Sequence, residues 1–306
     1  MTRPAPAHVD GHVPSAIPLL AAVVSGAVVA LQQRINGDLG SSLHDSLLAA
    51  VISFATGLAL MAMLVLRPAP RAALPNVVRL PWWTRLGGLG GATLVAVGAA
   101  AAPQIGVALL TVGLVAGSTV GGLLVDRVGL APGGHRAVTG ARLAGALMCL
   151  VAIVISAAEG LRSASPLLLL LVVLAGALIS FQQAFNGRVR AATDATVATF
   201  VNFVVGTLAL LLGLLVRALL VGVHVRHWPD FSHAYLYLGG PMGAAFVAVA
   251  ALVVRTLGVL RLGLAVTSGQ LLGALALDLG RGLRTATVVA SALTMAAVLI
   301  SGRGQR

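Results

Sequence analysis

Two copies of one polar motif stand in an otherwise apolar chain of 306 residues. The first copy reads QQRING over residues 32–37, and the second reads QQAFNG over residues 182–187. Glutamine and asparagine offer a hydrogen-bond donor and an acceptor but neither a charge nor a nucleophile. Gln32 and Asn36 are four residues apart and share one helix face, as do the matching residues of the second copy. Such faces either line a polar path or bind neighbouring helices.

The composition places these motifs in a membrane protein. Hydrophobic residues make up 58% of the chain, charged residues 9%, and the mean hydropathy is +1.01. A soluble domain carries roughly 25% charged residues, so the sequence indicates an all-α integral membrane fold. All 20 basic residues are arginines, scattered over the predicted loops, and we expect no nucleic-acid partner. Their excess on one side predicts that both termini lie in the cytoplasm.

The apolar segments predict ten transmembrane helices, because crossing the hydrocarbon core takes about 20 residues. The weakest boundary lies between the third and fourth segments, where Pro103-Gln104 is the only break. A kinked hairpin fits these two segments, whereas a single helix of about 40 residues does not. The predicted spans cover residues 17–37, 45–66, 86–103, 106–125, 140–158, 166–186, 195–216, 234–254, 258–277 and 285–302.

The halves of the chain repeat each other beyond the polar motif. SFATGLAL at 53–60 aligns with NFVVGTLAL at 202–210, and GSTVGGLLVD at 117–126 aligns with GQLLGALALD at 269–278. Each half holds five predicted spans, and an odd number inverts the second half in the membrane. Inverted repeats are a recurring plan of secondary transporters. We therefore divide the chain into a cytoplasmic tail and two five-helix repeats, over residues 1–16, 17–160 and 161–306.

The chain also resembles a known family. Residues 80–130, LPWWTRLGGLGGATLVAVGAAAAPQIGVALLTVGLVAGSTVGGLLVDRVGL, are similar to the second part of the five-helix YdcZ-type repeat of the drug/metabolite transporter superfamily. The Gln/Asn patch of helix one also has a counterpart in that repeat. The resemblance covers nearly the whole chain and implies a ten-helix inner-membrane transporter, an exporter. Ser118 departs from the family's glutamine, which the second half keeps as Gln270, so the resemblance implies an asymmetric site.

Polar residues within the spans form the predicted substrate path. Gln270 lies eight residues before Asp278, or about 12 Å along a helix, which places it near mid-depth. Serine and threonine are weaker candidates, because their hydroxyls readily bond their own helix backbone. The predicted path consists of Gln32, Asn36, Gln182, Asn186, Asn202, Ser118 and Gln270, with Thr119, Thr267 and Ser268 as the weaker candidates.

Two carboxylates end predicted spans on opposite sides of the membrane. Asp126 and Asp278 each close a helix, where a negative charge opposes the helix dipole. We expect compensation from the nearby Arg127, Arg281 and Arg284. Each carboxylate is then either a solvated loop acid or half of a gate ion pair, one on each face.

The predicted function is secondary transport of a small neutral or zwitterionic metabolite. No ionisable residue is central in a span, which disfavours proton-coupled export of hydrophobic cations. The seven histidines stand in termini or loops, and no span pairs a nucleophile with a base. We therefore expect no enzyme activity, no metal and no cofactor. The alternative is a non-transporting membrane scaffold or a lipid-handling protein.

The expected partners are a small-molecule solute and the lipid bilayer. A tandem of two repeats already contains a pseudo-dimer, so a monomer is the expected state, with a homodimer as the alternative.

Overall fold

A computed structural model describes residues 16–157, 166–222 and 231–278, together with positions 289, 292–293, 295–297 and 300. The tail before residue 16 and most of the tenth predicted span, 285–302, lie outside the described residues. The described chain is helical and contains no strand. Its helices are α1 Ala16–Leu43, α2 Ser46–Val65, α3 Pro68–Ala73, α4 Pro75–Arg79, a first 3₁₀ helix Trp82–Gly87, α5 Gly88–Val128, α6 Gly140–Ala157, α7 Pro166–Ala192, α8 Ala195–Val221, a second 3₁₀ helix Phe231–Leu238, α9 Gly239–Leu257 and α10 Val259–Asp278.

Five of these helical segments are long and apolar enough to cross a membrane by length and composition. Each contains an 18-residue window with at most two charged residues. A helix suits lipid because its interior backbone groups bond within the segment. The five are Ala16–Leu43, Ser46–Val65, Pro166–Ala192, Ala195–Leu220 and His233–Leu257.

Matching carboxylates begin the second helix of each half. The Asp45 side chain accepts a hydrogen bond from the Leu48 backbone N–H at 2.9 Å and caps α2. The Asp194 side chain accepts from Val197 N–H at 3.0 Å and caps α8 in the same way. Aspartate is a preferred N-cap because its side chain satisfies an N–H that the first turn leaves free. The repeat therefore extends to the local signals that start its helices.

Helix α5 folds back on itself. A Cβ placed on Gly90 would lie 2.6 Å from the Leu178 carbonyl oxygen, and one on Gly121 would lie 3.1 Å from Ser180 Cβ. In a straight helix, Gly90 and Gly121 would be about 46 Å apart, yet both contact one turn of α7. The sequence predicted two spans here with a kink between them. The structure assigns continuous helix over Gly88–Val128, in two limbs that run in opposite directions.

The first helix of each half packs on the other half. Helix α1 lies mainly against α9 and α10, while α7 lies mainly against α5. Glycines permit backbone contact at both crossings. A Cβ on Gly26 would lie 2.0 Å from the Val266 carbonyl oxygen, and a Cβ on Gly176 would lie 2.0 Å from that of Leu114. Small residues allow such close approach in membrane helices, and here they join the two halves.

The connection between α2 and α5 is structured, which the sequence analysis treated as a loop. Pro68 and Pro75 stand at the first positions of α3 and α4, where proline is favoured because no N–H is needed. Val77 and Thr84 are buried against the bundle. The connection is therefore docked on the protein instead of extending into solvent.

Candidate functional site

The second polar motif is buried between helices α7, α8 and α5. Gln182 and Asn186 are 3% and 4% exposed. The Asn186 Nδ2 group donates a hydrogen bond of 2.9 Å to Asn202 Oδ1 on α8. On the other side, a Cβ on Gly87 would lie 2.3 Å from Asn186 Oδ1, and one on Gly91 would lie 3.0 Å from Gln182 Oε1. The amides thus lie against glycine backbone at the start of α5.

The first polar motif makes the corresponding contact with the other half. A Cβ on Gly239 would lie 1.9 Å from Asn36 Oδ1, and one on Gly243 would lie 2.5 Å from Gln32 Nε2. Gln32 and Asn36 therefore point at one face of α9, four residues apart, as their spacing predicted. Any side chain at either glycine would displace the amide, so glycine at both positions is a requirement of the contact.

An aromatic pair lies between the two motifs. The Phe54 and Phe203 ring centroids are 5.1 Å apart, and the two residues occupy matching positions in the repeat. A Cβ on Gly57 would lie 2.2 Å from the Phe203 ring, and one on Gly206 would lie 2.3 Å from the Phe54 ring. Helices α2 and α8 therefore cross at a pair of equivalent Phe–Gly contacts, which marks a two-fold relation between the halves.

Three amide oxygens of the two motifs are buried without a hydrogen-bond partner among the described residues. They are Asn36 Oδ1, Gln182 Oε1 and Gln183 Oε1. Leaving a buried acceptor unsatisfied costs about 1–3 kcal/mol. The predicted path did not include Gln183, which lies on a different helix face from its neighbour Gln182.

The remaining predicted path residues have different surroundings. Ser118 Oγ donates to the Val115 carbonyl of its own helix at 3.1 Å, and its own carbonyl accepts from Ser180 Oγ at 2.8 Å. Gln270 is partly exposed on α10, and its backbone nitrogen lies 3.0 Å from a Cβ placed on Gly26. Neither side chain joins the Asn186–Asn202 cluster through a described hydrogen bond. Thr119, Thr267 and Ser268 are buried.

Asp126 is a buried helix cap. It is fully buried, although its position at a span end also suggested a solvated acid. Its Oδ1 accepts from Val259 N–H at 3.0 Å and its Oδ2 from Leu260 N–H at 3.2 Å. The carboxylate thus satisfies the free N–H groups that begin α10, where a negative charge also suits the helix dipole. Asp126 therefore ties the end of α5 to the second half.

The second predicted gate residue lies at the end of helix α10. Asp278 ends α10, but its side chain and the two arginines proposed to compensate it, Arg281 and Arg284, lie outside the described residues. Arg127, the arginine proposed for Asp126, is exposed.

Two arginines bond helix ends on the face that carries Asp126. Neither was among the predicted site residues. The Arg136 Nη2 atom donates hydrogen bonds to the Arg255 and Thr256 carbonyls at 2.8 and 3.1 Å. The Arg188 guanidinium donates to the Gly129 carbonyl at 2.8 Å, and also to that of Leu130. Both satisfy carbonyls that a helix end leaves free. No local pattern could reveal them, because Arg136 contacts a helix end 119 residues away.

An ion pair joins the two halves at the other end of the bundle. Both terminal nitrogens of the Arg217 guanidinium, on α8, donate to the Asp45 carboxylate, Nη1 to Oδ1 at 2.9 Å and Nη2 to Oδ2. Asp45 is 7% exposed. Bidentate pairing is the strongest geometry available to these groups. The predicted seventh span stopped at residue 216, whereas α8 continues to Val221 and so carries Arg217 to Asp45.

The Asp45–Arg217 pair makes stability depend on pH. Burial raises the pKa of Asp45, but the Arg217 hydrogen bond and charge and the backbone N–H groups of Leu48 and Leu47 outweigh it, so the pKa lies below its ordinary value of 3.8. A lowered folded-state pKa gives stability that is present above the unfolded pKa and lost as the pH falls through the folded one. Between about pH 6 and pH 3, wild type should therefore lose more thermal stability than Asp45→Asn. Equal losses in scanning fluorimetry would contradict the pairing.

One family's sequence profile matches both halves of the chain, over residues 17–155 and 167–303. The family is described as "Putative inner membrane exporter, YdcZ". The chain belongs to this family. Membership makes it a multi-pass inner-membrane protein of an exporter family, which agrees with the apolar helices. It also confirms the resemblance found in the sequence, including its occurrence once in each half. The YdcZ profile describes a transporter and names no solute.

Comparison with solved structures supports the fold. A crystal structure of a protein 23% identical in sequence superposes with a TM-score of 0.67, covering 95% of this chain and 99% of that chain. At 23% identity, that structure is similar to this YdcZ-family chain in fold alone. No curated protein matches the sequence. Within the described residues, no three His, Cys, Asp or Glu side chains converge in a metal-binding group.

Proposed function

We propose that this protein is a secondary transporter that exports a small neutral or zwitterionic metabolite. In this proposal ten transmembrane helices form two inverted five-helix repeats, with both termini in the cytoplasm. The halves exchange conformations by alternating access, as related halves of inverted-repeat transporters do. The paired contacts support it: Phe54 with Gly206 and Phe203 with Gly57 are equivalent partners at the centre of the bundle.

The proposal that the solute is polar rests on the unsatisfied amide oxygens. Asn36, Gln182 and Gln183 each hold a buried acceptor without a described partner, so a solute with hydroxyl or amino groups would gain hydrogen bonds there. The substrate path of the proposal is formed by Gln32, Asn36, Gln182, Asn186 and Asn202, with Ser118 and Gln270 farther along the helices. These amide side chains favour a polar solute without net charge, because they supply no counter-charge.

The gates of the proposal are the charged contacts at the two ends of the bundle. Asp126 on one face and Asp278 on the other are the gate carboxylates suggested by the repeat. Asp45–Arg217 joins the halves at the end opposite Asp126. Opening toward one side requires breaking the contacts on that side while those on the other persist.

A second function has an observation in its favour. The amides of both motifs lie against glycine backbone, and one of them bonds Asn202, as helix-binding groups would. On this view the motifs only hold helices together, and the protein is a scaffold or handles lipid.

A thermal-shift screen in detergent separates the two functions. Amino acids, nucleosides, sugars and hydrophobic cations would each be added to wild type and to an Asn36→Leu/Asn186→Leu variant. A ligand that binds only the folded state raises its apparent stability with concentration. We expect one polar class to stabilise wild type but not the folded double variant. Gln33→Leu, at an exposed glutamine of the same helix, is the matched control and should keep the shift. An undiminished shift in the double variant would make the motifs structural.

A further inference from the structure

The connection between α2 and α5, residues 66–87, carries a strong positive charge. It contains four arginines, at positions 67, 71, 79 and 85, and no acid. The chain around it is equally free of acids, since no Asp or Glu occurs between Asp45 and Asp126. The charge of this connection is therefore not neutralised by nearby sequence.

Three of these arginines are exposed and have no side-chain partner in the part of the chain that the structure describes. Arg67, Arg71 and Arg79 all lie on the surface. None of them has a side-chain hydrogen bond or ion pair with another described residue, unlike Arg217 or Arg34, which pair with aspartates. Free guanidinium groups are planar and bind oxyanions such as phosphates through two parallel N–H bonds.

Large apolar side chains are exposed beside the arginines. Leu66, Val78 and Trp82 are 67%, 73% and 68% exposed. Tryptophan is enriched where membrane helices meet the headgroup region. The connection must lie at that depth, because it joins the end of α2 to the start of α5. Exposed apolar groups alternating with arginines match a segment that lies in the headgroup layer.

The segment is held in place on the bundle. Val77 packs in a buried cluster with Val65 of α2, Val189 of α7 and Val197 of α8. The free arginines are thus presented by a docked surface and not by a long unstructured loop. The matching connection of the second half differs, because residues 222–238 hold one arginine, one aspartate and three histidines. By sequence, the second connection therefore carries much less positive charge than the first.

We propose that Arg67, Arg71 and Arg79, together with Trp82, form a binding surface for the headgroups of anionic phospholipids. The guanidinium groups bind the lipid phosphates while Trp82 and Val78 enter the acyl boundary. The proposal rests on the membrane location of the family and holds whether or not the protein transports a solute.

Native mass spectrometry of the detergent-solubilised protein tests this surface. Phosphatidylglycerol and phosphatidylcholine with identical acyl chains would be added in equal amounts, and retained lipids counted. We expect wild type to prefer the anionic lipid. An Arg71→Gln/Arg79→Gln variant should lose about tenfold of that preference, since each arginine near an anionic surface contributes a several-fold gain. Trp82→Ala should lower retention of both lipids.

The control removes the same charge elsewhere. Arg127 and Arg255 are also exposed, at the ends of α5 and α9, so an Arg127→Gln/Arg255→Gln variant should retain the wild-type preference. Equal retention by both double variants, or no preference in wild type, would overturn the proposal. Inorganic phosphate should not compete at matched ionic strength; full competition would assign the surface to free anions.

Discussion

Replacing Gly117 with alanine is expected to destabilise the protein strongly, although the change adds a single methyl group. A Cβ at this position would lie 1.8 Å from the Val173 carbonyl oxygen and 2.9 Å from the Ala177 nitrogen. Both are backbone atoms of α7 and cannot turn aside, so α5 and α7 must separate. Overpacking of this kind costs roughly 1–3 kcal/mol. Thermal unfolding in detergent, followed by scanning fluorimetry, measures the loss.

The control is a glycine whose replacement by alanine is expected not to lower the stability of the protein. Gly213 lies within α8 with nothing within 4 Å of its Cβ position. Alanine favours a helix interior over glycine by about 0.8–1 kcal/mol, so Gly213→Ala should be neutral or stabilising. Gly269 is the counterpart of Gly117, with the Val23 carbonyl oxygen 1.8 Å from its Cβ position, and Gly269→Ala should match Gly117→Ala. A neutral Gly117→Ala variant would show that the halves are not held by this crossing.

Asp126→Ala should be the second severe change. The substitution leaves the Val259 and Leu260 N–H groups at the start of α10 without their acceptor. An unsatisfied buried donor costs about 1–3 kcal/mol, so the two together should lower the unfolding free energy by a few kcal/mol. Asp126→Asn keeps one acceptor oxygen and should lose about half as much.

An exposed aspartate is the control for Asp126. Asp38 makes a surface ion pair with Arg34 at 3.2 Å, and the two side chains are 44% and 42% exposed. Pairs of this kind contribute roughly 0–1 kcal/mol, so Asp38→Ala should shift thermal unfolding little. If Asp126→Ala behaved like Asp38→Ala, the cap between the halves would carry no stability.

The sequence predicted the features that depend on local pattern. Apolar length located the long helices α1, α2 and α5 to α10, because a membrane span needs a minimum run of apolar residues, but it missed the short helices α3 and α4. The i, i+4 spacing placed Gln32 and Asn36 on one face, which now lies against Gly239 and Gly243. The family resemblance is confirmed in both halves.

The sequence could not predict the contacts that cross between halves. Asp126 caps a helix 133 residues away, and Asp45 pairs with an arginine 172 residues away. Nothing within a span or loop encodes such partners, which follow only from the crossing of α1 and α7 onto the opposite halves. A local signal did exist for Asp45 and Asp194, since each directly precedes an apolar run as an N-cap does.

The contacts at the two ends suggest how the halves would alternate. Asp126 and Arg136 tie the halves on one face, and Asp45–Arg217 ties them on the other. Asp194, the counterpart of Asp45, caps its helix but has no ion pair with a described residue. The two faces are therefore closed by different chemistry, and weakening one should favour opening on that side.

Pulsed electron paramagnetic resonance on spin-labelled pairs tests alternating access most directly, because it needs no knowledge of the solute. With Cys149 replaced by alanine, one pair would be Ser42→Cys with Leu219→Cys, near Asp45–Arg217. The other would be Arg127→Cys with Arg255→Cys, near Asp126.

Each pair would be measured in wild type, in Asp45→Asn and in the control Asp38→Asn. We predict that Asp45→Asn lengthens the 42–219 distance while the 127–255 distance stays short or shortens, and that Asp38→Asn changes neither. Unchanged distances in Asp45→Asn, or lengthening at both ends together, would contradict a transporter that opens one face at a time.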